Sequence, residues 1–230
     1  MSLQLYLKCS ILLLMKIGKK PPVIPANTLL YRDKIVNPVF PAQFDGTRGL
    51  KTFPVWGNDS IGDCTIAAAF NREFISIDGK PVYDATEAVE TYSAITGYSP
   101  AQPSTDQGAV CSNVLDHLKF VGFPMSAISN APKFQINDFY HIPPADIEGI
   151  KHCIAQNGSC YAGIQFPSTF YQQFADGVLF VQPGAQIEGG HCILLTGYTE
   201  SVFLVVTWGK VVAMTLDFWQ TYGDEAWALE

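Results

Sequence analysis

The stretch WGNDSIGDCTIAAAF, Trp56 to Phe70, places a cysteine where a Gly-Asp turn gives way to an alanine-rich segment. Ile66, Phe70 and Phe74 recur every four residues and Asp78-Gly79 closes the run. That spacing predicts a helix from Cys64 to Ile77 with one buried stripe. A thiol in the first turn of a helix sits where backbone N–H groups and the helix dipole gather partial positive charge, so Cys64 is expected to ionise readily. Asp63 reads as the N-cap of this helix; a carboxylate aimed at the sulfur instead would raise the thiol pKa.

Working outward from this helix, the chain changes its period once. Asp84 and Glu87 form a capping box for a second helix that ends at Thr96-Gly97. Val110, Val114, Leu118 and Val121 mark a third helix over 108–121, and a fourth runs from Asp146 to Gln156 before Asn157-Gly158. After that the period is two. Segments 159–166, 177–181, 191–198, 202–208 and 210–216 are short, apolar and separated by Gly or Pro signals, with AWALE as a last strand after a turn or short helix at FWQTYGDE. Helices first and strands later argue for α+β with an antiparallel sheet.

Composition narrows the function classes. The 230 residues are 48% hydrophobic and 15% charged, which describes a packed chain of one large domain or two lobes over a cleft. A net charge of −7 with no basic run sets nucleic acid aside. No HExxH, paired CxxC, GxxxxGK[ST] or GxGxxG occurs, so neither a metal nor a nucleotide cofactor is expected. The six cysteines show no pairing pattern, and Cys111, Cys153, Cys160 and Cys192 lie in apolar surroundings. They read as buried thiols, which favours a reducing, cytoplasmic setting over a secreted one. The apolar run Cys9 to Met15 is too short to span a bilayer, so no membrane association is expected. It resembles a signal-peptide core without a small-x-small cleavage site, and Met15 as an effective start is the alternative. Residues 16–55 are proline-rich and read as an extended arm on the surface, dividing the chain into a 1–37 extension and a 38–230 domain; whether the extension is a signal, an inhibitory strand across the cleft or incidental stays open. Nothing in the sequence speaks to oligomeric state.

A helical first half bearing Cys64 and a sheet-rich second half bearing His191 at a strand edge invite a thiolate–imidazolium pair across a cleft. The strand of His191 follows Gly189-Gly190, which leaves room for a substrate beside it. The other histidines compete poorly: His117 and His152 fall within predicted helices, and His141 lies in a proline-bordered loop.

At these residues the chain resembles the papain-like cysteine peptidases, from about Pro38 to the C-terminal end. Gly62-Asp63-Cys64 matches the family's Gly-x-Cys helix opening, and Asn58 stands six residues before Cys64, at the place of the family's glutamine. Gly190-His191 with the following apolar strand resembles the histidine strand, Thr207-Trp208-Gly209 the end of the Asn-Ser-Trp-Gly motif, PAQFD (41–45) the opening of the mature peptidase, and STDQG (104–108) its glycine-bearing loop. The 127-residue separation of Cys64 and His191 falls just short of the roughly 130–150 found in papain and cathepsins. There are departures. Ile61 replaces a disulfide cysteine, Thr65 replaces an aromatic, and the orienting asparagine falls on Val206, which cannot accept a hydrogen bond from an imidazole. A dyad without an orienter, Thr207, a backbone carbonyl or a water are the alternatives; strand alternation turns Thr207 away if Trp208 faces the histidine.

The resemblance implies a two-lobed fold, with a helical N-terminal lobe, an antiparallel sheet lobe and the active-site cleft between them. It implies peptide or protein substrates and amide hydrolysis through a Cys64 thioester. His191 serves as base and then acid, the Asn58 side chain and the Cys64 N–H hold the oxyanion, and Trp208 shields the pair. Two other readings compete. The Asp63-Cys64-Thr65 helix start resembles NlpC-type peptidoglycan amidases, which are usually more compact. Val206 fits an inactive papain-like scaffold used for binding or assembly.

Overall fold

The computed structural model describes residues 15–80, 82–124 and 133–230. The apolar run that begins at Cys9 lies outside the described residues up to Met15.

Three helices build one half: α1 (Cys64–Ser76), α2 (Ala85–Thr96) and α3 (Cys111–Phe120). The capping box at the start of α2 is present, with the Asp84 side chain accepting from the Thr86 N–H and Glu87 reaching back to the Asp84 N–H; Gly97 closes the helix at φ 75°. Helix α1 departs from its sequence reading. Every residue from Cys64 to Asn71 is buried, not one stripe. The run Ala67-Ala68-Ala69 is small enough for other elements to close in on all sides of the helix, so it becomes the central rod of the molecule.

The other half is one sheet of eight strands, β1 (Phe44–Asp45), β2 (Phe139–Ile142), β3 (Cys160–Pro167), β4 (Val178–Leu179), β5 (Ile187–Tyr198), β6 (Val202–Thr207), β7 (Lys210–Thr215) and β8 (Gly223–Leu229). The order is β2-β8-β3-β5-β6-β7-β4, with β1 paired to β5. All neighbours are antiparallel except β4 and β7. Helices α4 (Ile147–Asn157), α5 (Phe170–Asp176) and α6 (Leu216–Tyr222) complete this half. His141, expected in a loop, lies on edge strand β2 with its ring 5.0 Å from that of Trp227.

Two large apolar clusters follow this division. One gathers Phe70, Tyr92, Leu115 and Phe123 of the helical half. The other gathers Ile164, Phe166, Ile193, Phe203 and Trp219 of the sheet. Strand β5 belongs to both: Cys192 faces the helices while Ile193 and Leu195 face the sheet core. The architecture is α+β, with α1 and β5 meeting along the seam.

Candidate active site

Cys64 opens α1 on the helical side of the seam, and the residue that meets it is the neighbour of His191. The Cys192 N–H donates to the Cys64 sulfur at 3.4 Å. The two residues that the sequence sets 127 apart are thus brought within one residue of contact, by the first turn of a helix and by a strand beside it; no hydrogen bond joins the Cys64 sulfur to the His191 ring among the described residues.

His191 is wholly buried, with Nε2 2.7 Å from the Thr207 hydroxyl and Nδ1 without a hydrogen-bond partner among the described residues. Val206, at the expected place of an orienter, turns away. It faces Leu194 across the β5–β6 ladder, and both lie in a small apolar cluster with Phe53 and Ile75. Leu194 is three residues from His191 and hence on the other face of the strand. Thr207 shares the histidine's face. The expectation that Thr207 and Trp208 exclude one another fails because Trp208 has left the strand: its φ is +42°, a left-handed turn that swings the indole back over His191, with ring centres 4.4 Å apart.

The Trp208 indole N–H donates to the Asn58 Oδ1 at 2.7 Å, and the Asn58 Nδ2 donates to the Ile61 carbonyl at 3.0 Å. An amide nitrogen has two hydrogens, so one remains after the Ile61 bond. Asp63, expected as a cap, makes no capping bond. Its buried carboxylate has no partner of normal hydrogen-bond geometry, and burial pushes its pKa well above the usual range even though the nearby Asn58 amide works the other way.

Solved structures with the same arrangement of elements carry the comparison further. No protein-family model matches the sequence, and no curated protein matches it. Xylellain, a cysteine protease from Xylella fastidiosa, superposes with a TM-score of 0.69 at 16% identity, over 94% of this chain and 96% of its own. The Carica candamarcensis cysteine protease CMS1MS2 gives 0.55 at 12% identity over 83% and 98%, and digestive procathepsin L 3 of Tenebrio molitor gives 0.54 at 13% over 96% and 78%. The fold is papain-like.

The papain-like cleft between the two halves is occupied by the chain itself. Residues Met15 to Lys20 run along it, held by backbone bonds from Lys16 N–H to Asn58 O (3.0 Å), Lys19 N–H to Gly190 O (3.1 Å), Ala109 N–H to Gly18 O (2.8 Å) and Lys20 N–H to Ala109 O (2.9 Å). Lys19 of the arm therefore sinks into the body and Tyr31 is buried in the sheet core, while most residues from Lys20 to Ala42 stay on the surface as expected. Glycines make the fit possible. A Cβ on Gly18 would collide with the Gly62 carbonyl, one on Gly108 with the Gly18 carbonyl, and one on Gly190 would lie 2.5 Å from the Lys19 carbonyl. The Asp106 carboxylate stiffens one wall, accepting from the Gly62 N–H (2.9 Å) and the Tyr92 hydroxyl (2.6 Å).

This plug sets the electrostatics. Burial, with Cys192 alongside, pushes the Cys64 thiol far above its usual range, against the pull of the Cys192 and Gly18 N–H groups. Burial and then the Lys19 charge bring His191 down to about 3. The helix tip alone does not ionise Cys64, because desolvation outweighs it. Closed in this way, thiol and imidazole are both neutral.

Lys19 and its partners were not legible as site residues. Its side chain is fully buried, with Nζ 2.9 Å from Asp224 and 3.1 Å from Glu225. The adjacent acids of YGDE next to a strand, and the glycine amid lysines in KIGKK, are the only sequence signals of this contact.

Proposed function

We propose that the chain is a cysteine peptidase, hydrolysing peptide bonds with Cys64 as nucleophile and His191 as general base and acid, and that the arm holds it in a resting form. The observation that carries this reading is the His191 ring, bonded through Nε2 to Thr207 and unpartnered at Nδ1, on the residue next to the one whose N–H touches the Cys64 sulfur. With the proton on Nε2 donated to Thr207, Nδ1 presents a lone pair to accept the thiol proton.

Once water replaces the arm, the desolvation that keeps both groups neutral is relieved, and the Lys19 charge leaves with it. The thiolate attacks the carbonyl. The Cys64 N–H and the second Asn58 N–H receive the oxyanion, and His191 returns its proton to the leaving amine. Water then attacks the thioester, with His191 as its base. Against the sulfur the arm presents the Gly18 N–H.

The test uses the full chain carrying Gly18→Ala, which forces the arm off Gly62. An electrophilic peptide probe should then label Cys64 at pH 7, and adding His191→Ala should slow labelling at least a hundredfold. Equal labelling with and without the imidazole ends the paired-nucleophile reading.

A further inference from the structure

The arm leaves an imprint of what the groove accepts. Lys19 lies between the two walls: its N–H donates to the Gly190 carbonyl next to His191, and its neighbours Gly18 and Lys20 bond Ala109 opposite. Its side chain leaves the groove between β3 and β8, where Gly163 carries no Cβ to obstruct it, and ends against two carboxylates, Asp224 and Glu225.

The pocket does not depend on Lys19 for its shape. The Glu225 Oε2 accepts from the Trp227 indole N–H at 2.8 Å, and Glu225 sits opposite Gly163 in the β3–β8 ladder. Two acids face one ammonium, and Asp224 Oδ1 and Glu225 Oε1 are buried without a hydrogen bond of normal geometry. That is more acceptor capacity than a lysine consumes, and the planar fork of an arginine has donors for it. An ion pair kept only for stability is poorly served by such burial, since desolvating the charges offsets most of the attraction. A cavity of about 350 Å³ bordered by Lys19, Gln165, Gly190 and Asp224 continues the pocket toward solvent.

We propose that the Asp224–Glu225 pocket selects the lysine or arginine side chain of a peptide laid in the groove, with Lys19 as its resident occupant. If the peptidase reading holds, on which the step from bound peptide to substrate rests, the preferred substrates carry a basic residue at this position. Chains with an acidic or aliphatic side chain there would meet two desolvated, unpaired carboxylates.

Binding decides the pocket without any need for turnover. The host is the full chain with Gly18→Ala, Lys19→Met and Cys64→Ala, its fold verified by circular dichroism and thermal melting. The probes are fluorescein-labelled peptides of residues 15–24 with lysine, arginine or norleucine in the Lys19 position. Lysine and arginine peptides should bind at least tenfold more tightly than the norleucine peptide, and Glu225→Gln should remove most of that difference. Should the triple variant not fold, the same peptides compete against peptide-probe labelling of Cys64 in the Lys19→Met chain. Equal affinity for all three peptides, or a preference that survives Glu225→Gln combined with Asp224→Asn, overturns the proposal. Hydrolysis is scored separately with Cys64 intact: discrimination in binding with no cleavage of any peptide would sink the peptidase reading and leave the pocket standing.

Discussion

Thr207 carries the argument at the level of single residues, because it takes a place the sequence seemed to leave empty. A match by position lands on Val206, and strand parity, with Trp208 kept in the strand, excludes Thr207. The parity argument assumed that Trp208 was still in the strand, and its φ of +42° removes that premise. If Thr207 holds the His191 tautomer, Thr207→Val in the arm-loosened Gly18→Ala chain removes the acceptor while keeping the shape. Peptide hydrolysis (kcat/KM) should fall about tenfold to a hundredfold, the equivalent of the roughly 1–3 kcal/mol of leaving a buried polar group unsatisfied. Thr207→Ser should restore most of the rate. A valine variant with unchanged kcat/KM and pH profile would show that the hydroxyl positions nothing.

Among the elements, the arm is the one that decides whether the site is open. Gly18 has no left-handed φ to excuse it; only the Gly62 carbonyl forbids a side chain there. Gly18→Ala should therefore leave the body of the fold intact, with a thermal midpoint within a few degrees, while labelling of Cys64 by a small alkylating agent rises at least tenfold. An unchanged labelling rate would mean that the arm does not bury the sulfur in solution. What the sequence conveyed about elements follows from the same physics. Helices α1 to α4 and the long strands announced themselves by period and by their caps, since a half-buried element must repeat. Strand β2, bounded by Asn137-Asp138 and Pro143-Pro144, read as loop because it is four residues long and its pairing with β8 and with Leu30 of the arm comes from distant parts of the chain. Helix α5 is seven residues long, under two full turns, too short for a period to register. The arm has no period at all. Burial of Lys19 depends on Asp224, 205 residues further along, and a lysine amid prolines otherwise reads as solvated. The candidate pair Cys64 and His191 could be picked out from helix tip, strand edge and family spacing; a strand across the cleft is one of three readings the sequence leaves open, and the buried Lys19 contact that fixes it could not be read.

For the whole molecule, closure is linked to protons. His191 in the closed state titrates at about 3, against an ordinary 6.5. A group depressed in this way favours the closed state at and above pH 6.5, and that contribution is lost as pH falls toward 3, because only the opened molecule takes up the proton. Each unit below 6.5 thus costs closure up to about 1.4 kcal/mol. The charged group that acts on the ring is Lys19 from the arm, which adds to the effect; Cys64 is neutral throughout this range. Behind Lys19, burial raises Asp224 while the Lys19 charge and hydrogen bond lower it, so the two effects of opening, solvation and loss of Lys19, oppose one another there. Hydrogen exchange at the amides of Gly18 to Lys20 reads the balance directly. After division by the intrinsic rate at each pH, protection should fall as pH is lowered from 6.5 to 5, by up to tenfold per unit. His191→Gln should flatten the profile. Protection that is level or rises toward acid in the unaltered chain, with the same slope in the glutamine variant, would separate the imidazole from the arm and leave closure to packing and the Lys19 ion pairs alone.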